Sequence, residues 1–586
     1  MIFSTGFEPR TAKASYHDQL EMRSDNRQPQ DESLESQRNG NVVAGESIEY
    51  TRMTKSTPVA VPGPAPDFRA DTTTAASASE TLRSSLFGQS LFRYFKRLLP
   101  NQGGIIWLAM IVTVVVAYDF RNHLSWRNVD ILLLMPLSLF LVDLTEWQLG
   151  ISDPIQRSLF GMVFFVIFSI SALLLVRAMI GAFLPRKTTA PLNLPAPLAV
   201  VLTIVLFASN SLLALGHQPN DSGIFTNIGS ARMLETGKFP YGDPWLMGGA
   251  AATYGPVLYI SHIPFQLALS SVANGQREVS SFRRWIIAGT SPDYVGPPIL
   301  ATKLTVLFFH LLAVVGLVII GRQLAGGNVG WSLAALYLAS AYVQGLGGQE
   351  AFITGMTYVS HIAPAALTIL AFAVLNRPFW SGSLLAVAAG ALFYPVFFFP
   401  LWFGFYFWRG KEYASFTAGF VVVCVVIGVS VLLMTQSSET ESALQIIYKS
   451  TVAHQEAKDS YGSSTFSFWG LHPNFASFWQ TPFIEGWFLL RPSFLTFAAF
   501  IGGTFFMARN RTTTQLAFLT AAIAIAIQLW KSHAGGTYVE WYYPFLLIGL
   551  FVPAASEIME SAALRRSPLS GSSNSVDKKR ISAVLV

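Results

Sequence analysis

A polar stretch between two apolar segments carries residue types from which acid–base chemistry can be built. It runs from His217 to Leu267 and contains Asp221 near its start, followed by Arg232 and Lys238. An aspartate within hydrogen-bond distance of a hydroxyl group can remove its proton. Arginine and lysine can neutralise a phosphate and stabilise it as a leaving group. These residues predict a reaction at a membrane surface that involves an anionic lipid.

Two further polar segments could contribute to the same site. One runs from Thr435 to about Phe488, and the other from Lys531 to Glu540. Basic residues are enriched on the cytoplasmic side of a membrane. If the first stretch is extracytoplasmic, both segments share its side, and the opposite side receives Arg322, Arg377, Arg409, Lys411, Arg509, Arg511 and the basic tail. The three segments together supply Asp221, Arg232, Lys238, Tyr241, Asp243, Lys449, His454, Gln455, Glu456, Lys458, Asp459, His472, Lys531, His533, Glu540 and Tyr542.

Simpler interpretations compete with several of these roles. Asp221 comes just after an apolar run, so it could simply cap the N-terminus of a helix. His310 and His361 lie within apolar runs, where core histidines with satisfied hydrogen bonds are expected. His454 and Glu456 are typical of solvated loop residues. Their segment holds one histidine at that spacing, so no metal site is predicted.

Composition indicates the class of protein. The chain has 586 residues, of which 52% are hydrophobic and only 12% charged. These fractions lie well outside those of ordinary soluble domains. Apolar runs recur at lengths close to the roughly 20 residues that a transmembrane helix needs. We therefore predict an all-α polytopic membrane protein. The single cysteine, Cys424, excludes a disulfide framework, and the basic residues form no stripe that would bind nucleic acid.

Four regions follow from the alternation of polar and apolar segments. Residues 1–90 are predicted to be a disordered polar tail, and residues 91–196 to hold extra membrane helices. Residues 197–556 form the main membrane domain, and residues 557–586 a basic cytoplasmic tail. The apolar runs lie at about 104–118, 131–147, 159–182, 197–215, 257–270, 299–321, 331–345, 357–375, 384–408, 416–434, 490–507, 514–530 and 541–556. About 11–13 transmembrane helices are expected.

The run 384–408 is interrupted by two prolines, Pro395 and Pro400. Proline removes a helical hydrogen bond and tends to end or kink a helix. We therefore predict two short helices in place of one straight span. The charge pattern requires that this segment enters and leaves the membrane on one side.

The front of the chain fits the charge pattern less well. Three basic residues before the first run predict a cytoplasmic N-terminus: Arg93, Lys96 and Arg97. Four full spans would then place Asp221 on the cytoplasmic side. The run 131–147 carries Asp143 and Glu146, and carboxylates inside a membrane are costly. We therefore expect that 131–147 does not cross fully.

An ordered series of short motifs runs through residues 200–555. It consists of Asp221 after an apolar run, Leu234-Glu-Thr-Gly237-Lys-Phe-Pro240-Tyr241, Thr253-Tyr254-Gly255-Pro256, Gly348-Gln349, the segment SSTFSFWG at 463–470, and His533 with Tyr542 and Pro544. This series resembles the GT-C membrane glycosyltransferases. It is most similar to glycosyltransferase family 87, which includes polyprenyl-phosphate-mannose-dependent mannosyltransferases. Glu350 and Tyr394 depart from the pattern, because the family has Asn and often Lys there.

The resemblance implies a GT-C-like helical bundle with long extracytoplasmic loops, in a bacterial inner membrane with both tails cytoplasmic. It implies an enzyme that moves a hexose or pentose from a polyprenyl-phosphate donor to a lipid-linked or envelope glycan acceptor, with Asp221 as general base. No cofactor is implied, and the other partner is membrane lipid. Substrate-binding candidates are Arg232, Lys238, Tyr241, Tyr254, Gln349, His454, Lys531 and His533.

Two other classes of function stay open at this point. The broken helix at 384–408 is typical of transporters, which use such helices around central binding sites. A transporter or lipid flippase without transferase activity is therefore the alternative. Against it, the polar residues cluster in loops on one side and not within spans. A membrane scaffold whose loops bind a partner is the third possibility.

Overall fold

The computed structural model describes residues 102–135, 137, 154–184, 192–216, 219–243, 252–273, 296–340, 343, 358–410, 412–453, 494–531 and 538–552. Within these ranges all regular structure is helical, which confirms the predicted all-α class there. The tails 1–90 and 557–586 lie outside the described residues, as do Gln349, His454 and His533.

We number the helices with fully described bounds α1 to α15. They are α1 (Gln102–Ala117), α2 (Pro154–Phe183), α3 (Ala196–Gly216), α4 (Asp221–Thr236), α5 (Pro256–Ala273), α6 (Ile299–Ala325), α7 (Gly327–Ala339), α8 (Val359–Ala373), α9 (Pro378–Ala391), α10 (Phe399–Phe407), α11 (Glu412–Met434), α12 (Ala443–Tyr448), α13 (Phe494–Met507), α14 (Thr513–Lys531) and α15 (Tyr543–Phe551). Two 3-10 turns, Tyr394–Phe398 and Val539–Trp541, precede α10 and α15. A further helix begins at residue 126 and is described to residue 135.

Five of the described helices are long and apolar enough to cross a membrane: α2, α3, α6, α11 and α14. They are fewer than the predicted 11–13 spans, because several predicted runs form shorter apolar helices of 10–17 residues, such as α8 and α9. The outer surface of α11 consists of exposed apolar side chains, including Val421, Val422, Val425, Val426 and Val429. Such a surface suits contact with lipid, because a helix with no polar side has no stable place in water.

The helix ends that carry arginine lie together at one end of the bundle. The Tyr406 hydroxyl donates to the Leu375 carbonyl (2.8 Å), which brings the end of α10 beside the end of α8. Arg409 donates from Nη2 to the Arg511 carbonyl (2.9 Å), just before α14. We call this end the basic face. It holds Arg322, Arg377, Arg409, Arg509 and Arg511, the set that the charge pattern placed on one side.

The opposite end receives the polar segments, and we call it the loop face. The Ser360 hydroxyl at the start of α8 donates to the Ser222 hydroxyl at the start of α4 (3.0 Å). Beyond α4, the Phe239 amide donates to the Met434 carbonyl at the end of α11 (2.9 Å). The first polar stretch therefore shares one face with the start of the second polar segment, as predicted.

The segment with two prolines forms a hairpin. α9 runs from the basic face, turns through Tyr394–Phe398, and α10 returns to the basic face at Trp408. Pro395 lies in the 3-10 turn and Pro400 in the first turn of α10, where a proline costs no helical hydrogen bond. The prediction of two short helices that enter and leave on one side is confirmed. The first helix begins at Pro378, six residues before the predicted start.

α1 runs from the loop face to the basic face. Its last turn accepts a hydrogen bond from the connection between α2 and α3 (Asn193 N–H to Val116 O, 3.0 Å). This connection lies on the basic face, because the Arg511 guanidinium lies over the Phe183 ring at the end of α2 (4.2 Å). Relative to the later helices, α1 therefore points opposite to the direction that the basic residues before it predict.

Most of the run 131–147 lies outside the described residues, so the expectation that it does not cross stays a prediction. Asp130 accepts two hydrogen bonds from Arg177 (2.6 and 2.8 Å), close to the basic-face end of α2. Pro154 begins α2 23 residues before Arg177, which is about 35 Å along a helix. The described ends of this region, Asp130 and Pro154, therefore lie on opposite faces. The flanking charges gave a direction for α1 that the packing of this helix does not share.

Candidate functional site

α4 begins directly at the proposed base. Asn220 is the N-cap: its side-chain oxygen accepts a hydrogen bond from the Ser222 amide (2.9 Å), and its backbone is extended. Asp221 is then the first residue of the helix. The alternative that Asp221 serves as the N-cap is wrong, because Asn220 fills that position. The structure describes the backbone of Asp221 and not its side chain.

The far end of α4 forms the turn that the sequence predicts. Gly237 has φ 65°, a left-handed conformation that favours glycine, and its amide donates to the Met233 carbonyl (2.9 Å). The chain then reaches Tyr241, which is buried and donates from its hydroxyl to the Tyr254 carbonyl (2.8 Å). Burial raises the pKa of Tyr241. Tyr241 and Tyr254 therefore belong to one folded unit.

The motif Thr253-Tyr254-Gly255-Pro256 fits closely against the end of α9. A Cβ atom at Gly255 would overlap the carbonyl oxygen of Gly390 and lie 2.5 Å from that of Ala391. No residue other than glycine fits at this position without backbone movement. Pro256 is the first residue of α5, where proline is favourable. The motif therefore joins the first polar stretch to the hairpin.

The two predicted cations of the first stretch lie away from Asp221. Arg232 is exposed and paired with Asp243 (Nε to Oδ2, 3.2 Å) and Glu235 (Nη1 to Oε2, 3.3 Å). The hydrogen bond to Asp243 raises the pKa of Arg232. Arg232 follows Asp221 by eleven residues, about 16 Å along the helix. The structure therefore does not bring this cation to the start of α4.

Lys238 lies further still along the same stretch. It is half-buried, and its Nζ donates to the Leu433 carbonyl at the end of α11 (3.4 Å). Lys238 thus lies near the end of α11, and neither predicted cation lies at the start of α4. A shared loop did not imply a shared site, because α4 separates its two ends.

The third polar segment reaches α4 through the start of α8. The Trp541 indole N–H donates to Nδ1 of His361 (3.0 Å), and His361 follows Ser360, which binds Ser222. The His361 ring stacks on Tyr538 with centroids 4.0 Å apart. The predicted convergence of the first and third segments on one face is therefore confirmed.

His361 and His310 match the expectation for core histidines. Both are buried, and Nδ1 of His310 lies 3.0 Å from the Tyr337 hydroxyl. Glu540 and Tyr542 were expected in a polar loop, but the structure buries both, at 2% and 0% exposure. The Trp541 ring next to them stacks on the Tyr394 ring of the hairpin, with centroids 3.9 Å apart.

The second polar segment contacts the first through its described part. Ile446 in α12 packs with Phe239, Tyr241 and Tyr259 in a small apolar cluster. Lys449 forms an ion pair with Glu441 and is partly exposed. His454 and the residues after it lie outside the described residues, so their predicted roles stay predictions.

A set of buried polar side chains within the helices was not predicted from the sequence. Gln266 of α5 donates to the backbone and side-chain oxygens of Asn227 (2.7 and 2.6 Å), and Asn227 donates to the Pro298 carbonyl (3.1 Å). Lys303 of α6 donates to the Leu215 carbonyl (2.7 Å). A single lysine in an apolar run was the available signal, because charged residues inside spans are rare and usually functional.

The remaining predicted residues are described only in part. Lys531 ends α14, and the structure describes its backbone alone. In the part of the chain that the structure covers, no three His, Cys, Asp or Glu side chains group as a metal site would require.

No protein-family model matches this sequence, no curated protein matches it, and no solved structure matches its fold.

Proposed function

We propose that this chain is an integral membrane glycosyltransferase of the GT-C type. It transfers a hexose or pentose from a polyprenyl-phosphate donor to a hydroxyl group of a lipid-linked or envelope glycan on the extracytoplasmic side. Asp221 is the general base. The proposal takes the donor and acceptor classes from the resemblance of the ordered motifs between residues 200 and 555.

The observation that carries the proposal is the position of Asp221 on the loop face. It opens α4 five positions after the last residue of α3, a helix long enough to cross a membrane, and Asn220 supplies the cap. The start of α4 contacts the start of α8, which contacts Val539–Trp541. The start of α4, the start of α8 and Val539–Trp541 therefore form one connected group on the loop face, which supports a site for two substrates there.

The reaction proceeds in one displacement. Asp221 takes the proton of the acceptor hydroxyl as the oxygen attacks the anomeric carbon of the donor sugar. The bond from that carbon to the phosphate oxygen breaks, and the phosphate leaves with the electron pair. Attack opposite to the leaving group inverts the anomeric configuration. A cation beside the phosphate stabilises the charge that develops on it.

Lys531 and His533 are the proposed contacts of the donor phosphate. α14 ends at Lys531, and Tyr538 lies against the last turns of α14 through Gln528 and stacks on His361. Arg232 was part of this prediction. Its distance along α4 and its two acidic partners favour a structural role for it, together with Asp243.

The test is sugar transfer in proteoliposomes by Asp221→Asn. We expect the variant to lose transfer from a polyprenyl-phosphate sugar by at least about a hundredfold, within the range for removal of a general base. Asp243→Asn is the matched control, because it changes an acid of the same stretch that pairs with Arg232, and it should keep most activity. Transfer by Asp221→Asn at the wild-type rate would refute the assignment.

A transporter is the second candidate, and the hairpin of α9 and α10 is the observation that favours it. The turn between these helices packs in the interior, with Tyr394 and Phe398 buried. Interrupted helices of this kind surround binding sites in transporters. Uptake of a solute by proteoliposomes that contain no sugar donor would support this function over transfer.

A further inference from the structure

A buried positive charge lies close to the start of α4. Lys303 is in the second turn of α6 and is only 2% exposed. α6 is long and apolar enough to cross a membrane. A charged residue within such a helix costs free energy and usually marks a functional site. The ammonium group donates to the Leu215 carbonyl in the last turn of α3 (2.7 Å). Lys303 thus neutralises the negative end of that helix.

The first turns of α4 are the other neighbours of this part of α6. The Thr302 hydroxyl donates to the Gly223 carbonyl (3.4 Å), and the Asn227 side chain donates to the Pro298 carbonyl (3.1 Å). These two bonds align the start of α6 with residues that follow Asp221 by two and by six positions. Lys303 therefore belongs to the part of α6 that contacts both the last turn of α3 and the first turns of α4.

We propose that Lys303 is a positioning residue for Asp221: its buried ammonium joins the end of α3 to the start of α4 and keeps the Asp221 carboxylate charged. The inference rests on the proposed function, in which that carboxylate must accept a proton. A positive charge stabilises a nearby carboxylate. The effect is strong in a buried place, because little water screens it.

Other titratable groups near this part of α6 are few in the described residues. α3 contains none. The cations Arg232 on α4 and Arg322 on α6 lie at distant ends of their helices. The remaining groups on α6 and on the helices packed against it are Glu235, Tyr259, His262, His310, Tyr337 and His361. Lys303 is the cation of this set that lies level with the start of α4.

A thiol at position 221 reports this charge without any catalytic activity. The test uses Asp221→Cys in a Cys424→Ser background, since Cys424 is the only cysteine of the chain. A thiol reacts as its thiolate, which a nearby cation favours. We expect a membrane-impermeant maleimide to label the thiol at pH 7 about tenfold more slowly when Lys303→Met is added, the effect of about one unit in the thiol's acidity. Lys303→Arg should restore most of the rate.

Controls separate charge from hydrogen bonding and folding. Thr236→Cys places a thiol at the exposed far end of α4, and its labelling rate should not depend on residue 303. Lys303→Gln keeps a donor for the Leu215 carbonyl but removes the charge, and it also serves if Lys303→Met does not fold. We expect Lys303→Gln to slow labelling as Lys303→Met does.

Two results would overturn the inference. Equal labelling at position 221 in the lysine and methionine forms would show that the charge does not act there. Fast labelling in Lys303→Gln would show that Lys303 only caps α3. Absence of sugar transfer by the wild-type protein would refute the proposed function instead, and it would leave the labelling result unaffected.

Discussion

The two faces of the bundle use polar residues in different ways. On the loop face, buried side chains bond across helices: Ser360 to Ser222, and Gln266 to Asn227. On the basic face, apart from the buried pair of Asp130 and Arg177, exposed arginines lie over aromatic rings, as Arg409 lies over Phe405 (3.8 Å). Buried polar groups are costly unless each has its partner. Exposed arginines at helix ends cost little free energy, and they set the orientation of membrane helices.

This difference supports the loop face as the position of the proposed site. A protein that only had to fold in a membrane could fill the loop face with apolar side chains. Instead, the starts of α4 and α8 and the 3-10 turn Val539–Trp541 meet through hydrogen bonds. Hydrogen bonds between segments therefore fix the geometry of the loop face, whereas arginines anchor the chain at the basic face. Three substitutions test this contrast, from the largest expected effect to the smallest.

The first substitution is Gly255→Ala. The added Cβ atom would overlap backbone carbonyl oxygens of α9. Because both contacting groups belong to the backbone, no side-chain rotation can relieve the overlap. Overpacking of this kind typically costs up to about 3 kcal/mol. We expect a clear drop in the midpoint of thermal unfolding in detergent. Gly502→Ala in α13 is the control, since a Cβ there meets no atom within 4 Å. Equal midpoints for the two variants would contradict the tight fit of the motif.

The second substitution is Asn227→Leu, which leaves Gln266 without its 2.6 Å partner and removes the donor to the Pro298 carbonyl. Buried groups that lose a partner cost about 2 kcal/mol, measured as the change in unfolding free energy. The basic-face counterpart, Arg409→Gln, should cost less than about 1 kcal/mol, because exposed cation–π contacts are weak.

A double variant sharpens this second test. Asn227→Leu with Gln266→Leu removes both partners, so the pair should regain part of the stability that the single change loses. A double variant as unstable as the sum of the single variants would contradict a coupled pair. A cost for Arg409→Gln equal to that of Asn227→Leu would remove the contrast between the faces.

The third substitution is Tyr241→Phe, which probes burial on the loop face through pH. At pH 8 the loss of the bond to the Tyr254 carbonyl should cost about 1 kcal/mol. Burial raises the pKa of Tyr241 in the folded state, whereas an unfolded tyrosine ionises near pH 10. Its contribution is therefore complete below pH 10 and falls as the pH rises further. The unfolding midpoints of wild type and variant should converge as the pH rises above about 10, and a constant offset would contradict the burial.

Local features of the sequence predicted the class and much of the topology. Apolar runs give helices wherever their length suffices, and Pro395 and Pro400 divided 384–408 because proline lacks an amide hydrogen. Gly237 ended α4 as its motif indicated. Arginines at helix ends assigned the later segments to the correct faces. Each of these signals acts within a few residues, so the sequence displays it directly.

The composition of the site depended on contacts between distant segments. The sequence left Asp221 as either a base or a helix N-cap, and only the fold assigned the cap to Asn220. It grouped Arg232 with Asp221, although α4 holds them apart. It also gave no reason to connect Lys303 with Leu215, 88 positions earlier. Periodicity and charge determine that helices form and which ends share a face. Helix packing decides which side chains meet, because that depends on neighbours far away in the chain.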